Sequence, residues 1–474
     1  MSRLSVLCLL VISYLPIYMH TSTAEQVKLD IKEHHLGNGL RLFLHEDHSS
    51  PIISFQVWYN VGSINERPGI TGISHLFEHM MFKGSKNVEP EEHSRIIQFN
   101  GGTDNAFTTE DITAYFENLP SSRLELAVKL EADRMAHLRL TAETLASERQ
   151  VVKEERRMRI DNSLFGRLNE GLYSTTFVKH PYRWPVIGWM SDIDAITLDN
   201  CKAFYRTYYA PNNSTVIILG DIDFDETISM VEKYFGHIPS AERPDEVIPM
   251  EEPQSQERHK DLFVDTRFPW LAVAYHIPEA AHDDIPVLEL IENILTEGRS
   301  SRLYRKIIYE DQSALSVFAS VDKYKDPGLF VITVRSIKQG HTPEEVASAI
   351  NESLEQFKTE KVRERELEKA RNQMETNLIF GLQANFVRGM RLGFSLARTG
   401  DPLGFIKSLE KYRHTTAGEI RKVARKYFTP ENRTIVRLLP EEEKQVGDKK
   451  QEGEHSKTFV DNKGGFASLN PPYK

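Results

Sequence analysis

The sequence repeats one helix–turn–strand pattern 219 residues apart, in segments 197–219 and 416–438. Six residues of the first segment recur at the corresponding positions of the second with no gap: Thr197, Tyr208, Pro211, Asn213, Thr215 and Leu219. Agreement that includes the turn residues predicts a duplicated domain. The alternative is that two unrelated units share the same general plan.

Each half of the chain is expected to mix strands with long helices. Apolar, β-branched runs predict strands at 40–44, 52–59, 114–119, 215–219, 271–276, 329–335 and 434–438. Helical periodicity predicts helices at 72–82, 123–135, 142–158, 287–295 and 343–359, and from 363 onward. This mixture is typical of α/β or α+β domains, and the spacing does not fix the order of the strands.

Composition along the chain suggests where the domains begin and end. Segment 239–260 starts with a run rich in proline and glutamate, which favours an extended linker. Segment 441–474 is charged and begins with few apolar residues, which predicts a loose tail. We therefore expect one domain at 25–238 and a second at 261–440.

The first 24 residues have the features of a secretory signal peptide. Arg3 precedes a short apolar run, and small residues lead to a predicted cleavage site after Ala24. Pro16 and the short run disfavour the alternative, a retained membrane span. The expected location is a bacterial periplasm, with secretion as the alternative. Cleavage would leave Cys201 without a partner for an intramolecular disulfide.

The net charge of the chain limits the classes of molecule that it is expected to bind. The formal net charge is −10, and the sequence contains no basic patch of the kind that nucleic-acid binding requires. We therefore expect no nucleic-acid partner.

Residues 75–79 read H-x-x-E-H, the reverse of the metalloprotease motif H-E-x-x-H. On a helix, His75 and His79 lie one turn apart on one face, where both can bind one tetrahedral zinc ion. Glu78 lies near the same face and can take a proton from a water that the zinc activates. Several other histidines, His93 among them, lack a partner at ligand spacing and are expected at the surface.

A catalytic zinc site of this type needs a third protein ligand. Glu148 and Glu155 are seven residues apart and lie on one stripe of the predicted helix. Glu155 as a ligand, with Glu148 accepting a hydrogen bond from a histidine N–H, is chemically coherent. The alternative is a solvated acidic face, which is the usual role of glutamates on a charged helix.

Further segments around this motif extend the pattern, at 59–85, 101–115, 148–161, 180–182 and 208–220. Together with H-x-x-E-H, they resemble the pitrilysin/insulysin superfamily of zinc proteases, in particular its short, two-domain processing-peptidase branch. The resemblance extends over about residues 30–440. It implies an α+β fold of two duplicated domains, each a mainly antiparallel sheet packed against helices, joined by an extended linker.

The resemblance also implies a function and a set of site residues. It predicts a zinc-dependent endopeptidase that hydrolyses peptides or unfolded polypeptides and binds one Zn²⁺ per chain. It implies that His75, His79 and Glu155 are the metal ligands, Glu78 the general base and Glu148 an auxiliary catalytic glutamate. It matches three substrate-binding residues to an edge strand that binds peptide through its backbone: Asn105, Ala106 and Phe107.

The second half departs from the site pattern. It contains no H-x-x-E-H, and shifting His75 by 219 residues lands on Ile294, so one metal site per chain is expected. Related enzymes use an Arg/Tyr pair from a C-terminal-type domain, but Leu315 stands where that tyrosine commonly falls and has no hydroxyl. We therefore expect either a homodimer or a heterodimer with a zinc-less two-domain homologue.

Two other functions stay open at this point. One is a non-catalytic scaffold or binding subunit, although such members typically lose metal ligands that this chain keeps. The other is a zinc-dependent binding protein without turnover, which would leave Glu78 without a role.

Overall fold

The computed structural model describes residues 29–242 and 248–441 of the 474-residue chain. The predicted signal peptide (1–24) and residues 442–474 of the predicted tail lie outside the described residues. The strands are β1 (Lys32–His35), β2 (Arg41–Glu46), β3 (Ile52–Tyr59), β4 (Thr103–Thr108), β5 (Thr113–Pro120), β6 (Ser214–Gly220), β7 (Arg258–Val264), β8 (Trp270–His276), β9 (Ala314–Asp322), β10 (Leu329–Ile337) and β11 (Arg433–Pro440). The α-helices are α1 (Ile73–Met80), α2 (Glu92–Phe99), α3 (Leu124–His137), α4 (Ala142–Arg156), α5 (Leu164–Thr176), α6 (Met190–Ala195), α7 (Leu198–Tyr208), α8 (Phe224–Phe235), α9 (Ile285–Thr296), α10 (Pro343–Thr359), α11 (Glu364–Gly381), α12 (Asn385–Thr399), α13 (Gly404–His414) and α14 (Ala417–Tyr427).

The strands form two sheets of matching design. Six strands pair in the order β1-β2-β6-β3-β5-β4, and five pair in the order β7-β11-β8-β10-β9. The β2–β6 and β7–β11 pairs are parallel, and the remaining pairs are antiparallel. The last five strands of the first sheet therefore correspond in order and direction to those of the second. This confirms the predicted α+β class with duplicated, mainly antiparallel sheets.

The residues that recur in sequence perform the same local task in both halves. Thr197 caps the start of α7 and Thr416 caps the start of α14, each through its side-chain oxygen. The side-chain amide of Asn213 donates to the carbonyl of Tyr208, and that of Asn432 donates to the carbonyl of Tyr427, both at 2.8 Å. The repeat therefore preserves the bonds that join a helix to the following strand.

Each half contributes one helix that packs against the sheet of the other half. Helix α5 packs against β7, β8 and β11, and helix α12 packs against β3 and β6. A glycine allows each close approach, because a Cβ on Gly171 would meet Leu262 and a Cβ on Gly393 would overlap the indole of Trp58. Burial of apolar side chains under each exchanged helix therefore ties the two sheets together.

The described residues of the segment between the sheets, 239–242 and 248–257, contain no helix or strand. The predicted linker, 239–260, is too long at its end, because β7 begins at Arg258 and residues 258–260 pair with β11. No helix of the described residues is long and apolar enough to cross a membrane.

Candidate metal centre

A buried carboxylate fixes the start of α1, which carries the H-x-x-E-H motif. Glu66 accepts hydrogen bonds of 2.8 Å from the backbone amides of Gly72 and Ser74, two of the donors that a helix start leaves free. Gly72 has φ +89°, and a Cβ there would collide with the carbonyl of Ile187. The motif is therefore held at a tightly packed corner, where burial raises the pKa of Glu66 to about 8.

His75 and His79 lie on one face of α1, as the sequence predicted, with ring centroids 5.0 Å apart. His75 is only 7% exposed, and its Nδ1 atom is buried without a hydrogen-bond partner among the described residues. Burial, and then the neighbouring His79, lowers the pKa of His75 to about 4. At neutral pH its imidazole is therefore uncharged, which is the form that binds a metal.

Glu155 comes from the C-terminal part of α4 and faces both histidines. Its Oε2 atom lies 3.7 Å from Nε2 of His75 and 3.2 Å from Nε2 of His79. The donor atoms of the three side chains all lie within 4.8 Å of one another. Ligand atoms about 2.1 Å from a tetrahedral zinc are about 3.4 Å apart, so these separations and this donor set fit zinc.

Glu148 lies two turns before Glu155 on the same face of α4 and contacts the other nitrogen of His79. Its Oε2 is 3.5 Å from Nδ1 of His79, and its Oε1 is 3.0 Å from the Lys83 ammonium. Burial acts to lower the pKa of His79, but its hydrogen bonds with Glu148 and Glu155 outweigh burial and raise the pKa to about 9. Binding of a metal to His79 therefore displaces a proton.

Glu78 projects from the same helix and is held by a strand that sequence periodicity did not predict. The hydroxyl of Thr108, the last residue of β4, donates a 2.7 Å hydrogen bond to Oε2 of Glu78. Burial raises the pKa of Glu78, and the Thr108 hydrogen bond acts against this rise. Thr108 therefore orients the carboxylate and leaves its second oxygen available.

Strand β4, which contains Asn105, Ala106 and Phe107, is an edge strand, and within residues 29–242 and 248–441 it pairs only with β5. Its outer backbone edge is therefore available to another extended chain. The ring of Phe107, in contrast, packs against Trp58 and Phe394, with centroid distances of 5.6 and 5.4 Å. A contribution of Phe107 to peptide binding would come from its backbone rather than its ring.

His93 does not lie at the surface, so that expectation is wrong. It is 4% exposed, and its Nε2 lies 3.2 Å from Glu117 and 3.9 Å from Glu131. Arg134 forms an ion pair with Glu131 and lies 3.6 Å from Glu117. A guanidinium thus already balances these carboxylates, although His93, Glu117 and Glu131 have the spacing of metal ligands.

The structure adds three residues to the site that the sequence analysis did not assign. Lys83 is four residues after His79, and Arg159, whose Nε is 2.9 Å from Oε1 of Glu155, is four residues after that glutamate. Helical spacing therefore carried a usable signal for both. Thr108 had none, because its contact with Glu78 joins elements that are distant in sequence.

Comparison with known proteins identifies the family. A model described as "Insulinase (Peptidase family M16)" matches residues 41–188, and one described as "Peptidase M16 inactive domain" matches residues 195–374. The chain is 30% identical to the zinc protease PqqE of Helicobacter pylori over 419 residues, which cover 85% of this chain and 92% of that one. The chain belongs to peptidase family M16.

Other relatives agree with this assignment to family M16. The uncharacterized zinc protease YmxG of Bacillus subtilis is 26% identical over 399 residues, covering 84% of this chain and 96% of that one. The crystal structure of a protease from Helicobacter pylori superimposes with a TM-score of 0.83 at 29% identity, covering 87% of this chain and all of that one. A putative M16-like peptidase from Alicyclobacillus acidocaldarius, at 19% identity and a TM-score of 0.76, shares the fold.

Proposed function

We propose that this M16 family member is a zinc-dependent endopeptidase that hydrolyses peptides or unfolded polypeptides. One observation carries the proposal: His75, His79 and Glu155 bring three donor atoms within 4.8 Å of one another, beside a Glu78 carboxylate held by Thr108. A binding site without turnover would not need that carboxylate. One zinc ion per chain is expected, with His75, His79 and Glu155 as its ligands.

The roles of the side chains follow from their contacts. A zinc ion held by these ligands supplies Lewis acidity, which polarises a peptide carbonyl and lowers the pKa of water to about 7. Glu78 is the general base: Thr108 bonds its Oε2, so Oε1 takes a proton from the attacking water and delivers it to the leaving amine. Glu148, which pairs with Lys83, orients His79, and Arg159 orients Glu155.

The substrate is proposed to add to the sheet as a further strand. The outer edge of β4, at Asn105, Ala106 and Phe107, ends at Thr108 beside Glu78. An extended peptide paired with this edge would pass the general base, and its affinity would come from backbone hydrogen bonds. This mode favours unfolded segments over folded proteins.

The wider organisation is part of the same proposal. We propose that the metal-bearing domain extends to residue 238, that the linker is 239–257, and that the domain without a metal site begins with β7 at Arg258 and ends at 440. Leu315 is 62% exposed on β9 and has no hydroxyl, which supports a dimer whose partner supplies the missing pair. Export to the periplasm after loss of residues 1–24 also remains part of the proposal.

Metal analysis combined with cleavage of a quenched peptide, with and without chelator, tests the function. Zinc near one per chain and hydrolysis that chelator abolishes would support the proposal. Zinc without hydrolysis would favour a binding protein, and a chain without zinc would favour a non-catalytic subunit. Full activity of the monomer would count against an obligatory partner.

A further inference from the structure

A cavity of about 850 Å³ lies in the second half, bordered by α9, α11, α12 and α13. Its volume is in the range of about 300–1,000 Å³ that is common for ligand sites. Apolar side chains, including Met374, Leu378, Phe394 and Phe405, line it together with charged ones. It is distinct from the smaller cavity, of about 240 Å³, that contains His75.

Strand register shows that this cavity corresponds to the metal site of the first half. The recurring Thr215 and Thr434 pair with Trp58 and Ala274, which makes these two residues equivalent. Trp58 pairs with Ala114 of β5, and Ala274 pairs with Val331 of β10, so Ala114 and Val331 are equivalent. These two residues pair in turn with Phe107 of β4 and Ser320 of β9. The residues that follow, Thr108 and Val321, are therefore equivalent as well. Thr108 bonds Glu78 on α1, and two glycines with positive φ, Gly84 and Gly298, lie six residues after Glu78 and Glu292 respectively.

Glu292 is therefore the counterpart of Glu78, and the counterpart of His75 is Glu289 rather than the Ile294 that a uniform shift predicted. The motif H-L-F-E-H of α1 becomes E-L-I-E-N, at 289–293, on α9. Glu289 is bonded by Lys323 and Tyr412. In the second half, Glu289 and Asn293 stand in place of the two histidines, so a ligand of this cavity would have to bind to other side chains.

One face of α12 provides cationic side chains that could bind such a ligand. Arg391, Phe394, Ser395 and Arg398 follow helical spacing and line the cavity, while Gly389 and Gly393 face Gln56 and Trp58. Neither arginine forms an ion pair within 4 Å among the described residues, and the Nε atom of each is buried without a hydrogen-bond partner. Burial also lowers the pKa of Arg391.

The other cations of the cavity wall are already paired. Lys323 pairs with Glu289, Lys407 with Asp401 and Lys411 with Glu419. The wall carries five cationic and four acidic side chains, so its excess of positive charge is small. This balance suits one or two carboxylates better than a polyphosphate, and a guanidinium binds a carboxylate through two parallel hydrogen bonds.

We propose that this cavity is a second binding site, in which Arg391 and Arg398 bind the carboxylates of an acidic peptide end. The peptide class rests on the proposed function, whereas the carboxylate chemistry rests on two arginines that form no ion pair within 4 Å among the described residues. Arg391 donates a 3.5 Å hydrogen bond to the carbonyl of Asn377, and the Arg398 guanidinium lies 4.4 Å from the ring centroid of Phe394. Seven residues of α-helix separate them by about 10 Å. An extended peptide spans about 3.3 Å per residue, so a three-residue end that starts with an acidic residue and finishes with a free C-terminus spans about 10 Å and matches that separation.

The probe is acetyl-Glu-Ala-Ala with a free C-terminus, titrated calorimetrically into the full, zinc-loaded chain and again after chelation. Acetyl-Gln-Ala-Ala-amide, which has no carboxylate, and inorganic phosphate are the comparison ligands. The acid should bind with or without metal, and the amide should not. Equal binding of acid and amide, loss of binding on chelation, tighter binding of phosphate, or no saturable binding at millimolar peptide would overturn the proposal.

Variants locate the binding site. Arg391→Gln with Arg398→Gln should raise Kd at least about tenfold, and lysine at both positions should restore part of the affinity. Lys422→Gln, on the exposed face of α14, removes one charge and should leave Kd unchanged. Ser408→Phe should block the cavity without changing either arginine.

Unchanged affinity in both the glutamine double variant and Ser408→Phe would refute the site. The readout is binding without cleavage, so its failure is separate from that of the proposed function. A chain that binds the acid at this cavity but cleaves no peptide keeps the second site and refutes the peptidase.

Discussion

The hydroxyl of Thr108 donates a 2.7 Å hydrogen bond to Oε2 of Glu78, and so joins the end of the edge strand β4 to the candidate general base. In the proposed mechanism, the peptide paired with β4 and the carboxylate that activates water would be positioned by the same residue. This contact would couple the position of the peptide to the orientation of the base.

Replacement of Thr108 by valine keeps the shape of the side chain but removes the donor. We expect kcat to fall about tenfold, with a smaller change in KM, because one hydrogen bond to a charged group is lost. Steady-state peptide hydrolysis measures both constants. Thr108→Ser should retain activity, and Thr103→Val, at the exposed start of β4, is the control. Wild-type kcat in Thr108→Val would exclude this positioning role.

Glu148→Gln tests the carboxylate behind His79. Loss of its charge weakens the contact with Nδ1 of His79, 3.5 Å away, and removes the anionic partner of Lys83, so zinc affinity should fall about 10- to 100-fold. Competition with a chromophoric chelator measures the change. The matched control is Glu154→Gln on the same helix, where the side chain pairs only with Arg157 at the surface. Equal zinc affinity in both variants would argue against this role of Glu148.

Arg134→Met should strongly destabilise the first half. The arginine is fully buried and balances Glu131 and Glu117, so its removal leaves uncompensated charge in the core. The expected loss in the free energy of unfolding is about 3–5 kcal/mol. Denaturant unfolding gives the value, and Arg139→Met, which removes an exposed pair with Glu89, should cost much less because that pair is screened by solvent. Similar losses in the two variants would contradict the account of this cluster.

Gly393→Ala tests the helix exchange that ties the sheets together. A methyl group there would overlap the indole ring of Trp58, so we expect a loss of about 1–3 kcal/mol in unfolding free energy. Gly418→Ala is the control, because its Cβ would meet only Thr416 at 3.7 Å in an exposed part of α14. Greater stability in Gly393→Ala than in that control would show that the close packing is relaxed in solution.

The sequence predicted well those parts of the fold that rest on local pattern. The strand at 52–59 and the helix at 343–359 have the predicted bounds, because each has a clear hydrophobic period, and Thr342 also caps that helix. Periodicity did not predict β4, because its sequence T-D-N-A-F-T is largely polar and lies on an exposed edge of the sheet. Helix α12 carries Gly389 and Gly393, which weaken a helical signal and whose packing partners are distant in sequence.

In the candidate site, too, the sequence predicted what depends on local spacing and missed what depends on contacts between distant segments. Spacing on one helix placed His75 beside His79, and Glu148 beside Glu155, because a regular helix repeats every 3.6 residues. The counterpart of His75 in the second half could not be found by a constant shift, since Tyr59 to Ile73 is a longer connection than His276 to Ile285. Strand pairing was needed to make Glu289 the equivalent residue.

The most direct test of the peptidase is the Glu78→Gln variant, assayed for peptide hydrolysis and zinc content on the same sample. The substitution keeps the size of the side chain and leaves His75, His79 and Glu155 intact. We predict a fall in kcat of about 10²- to 10⁴-fold with zinc still near one per chain. Near-wild-type turnover with zinc retained would contradict the assignment of Glu78 as the general base.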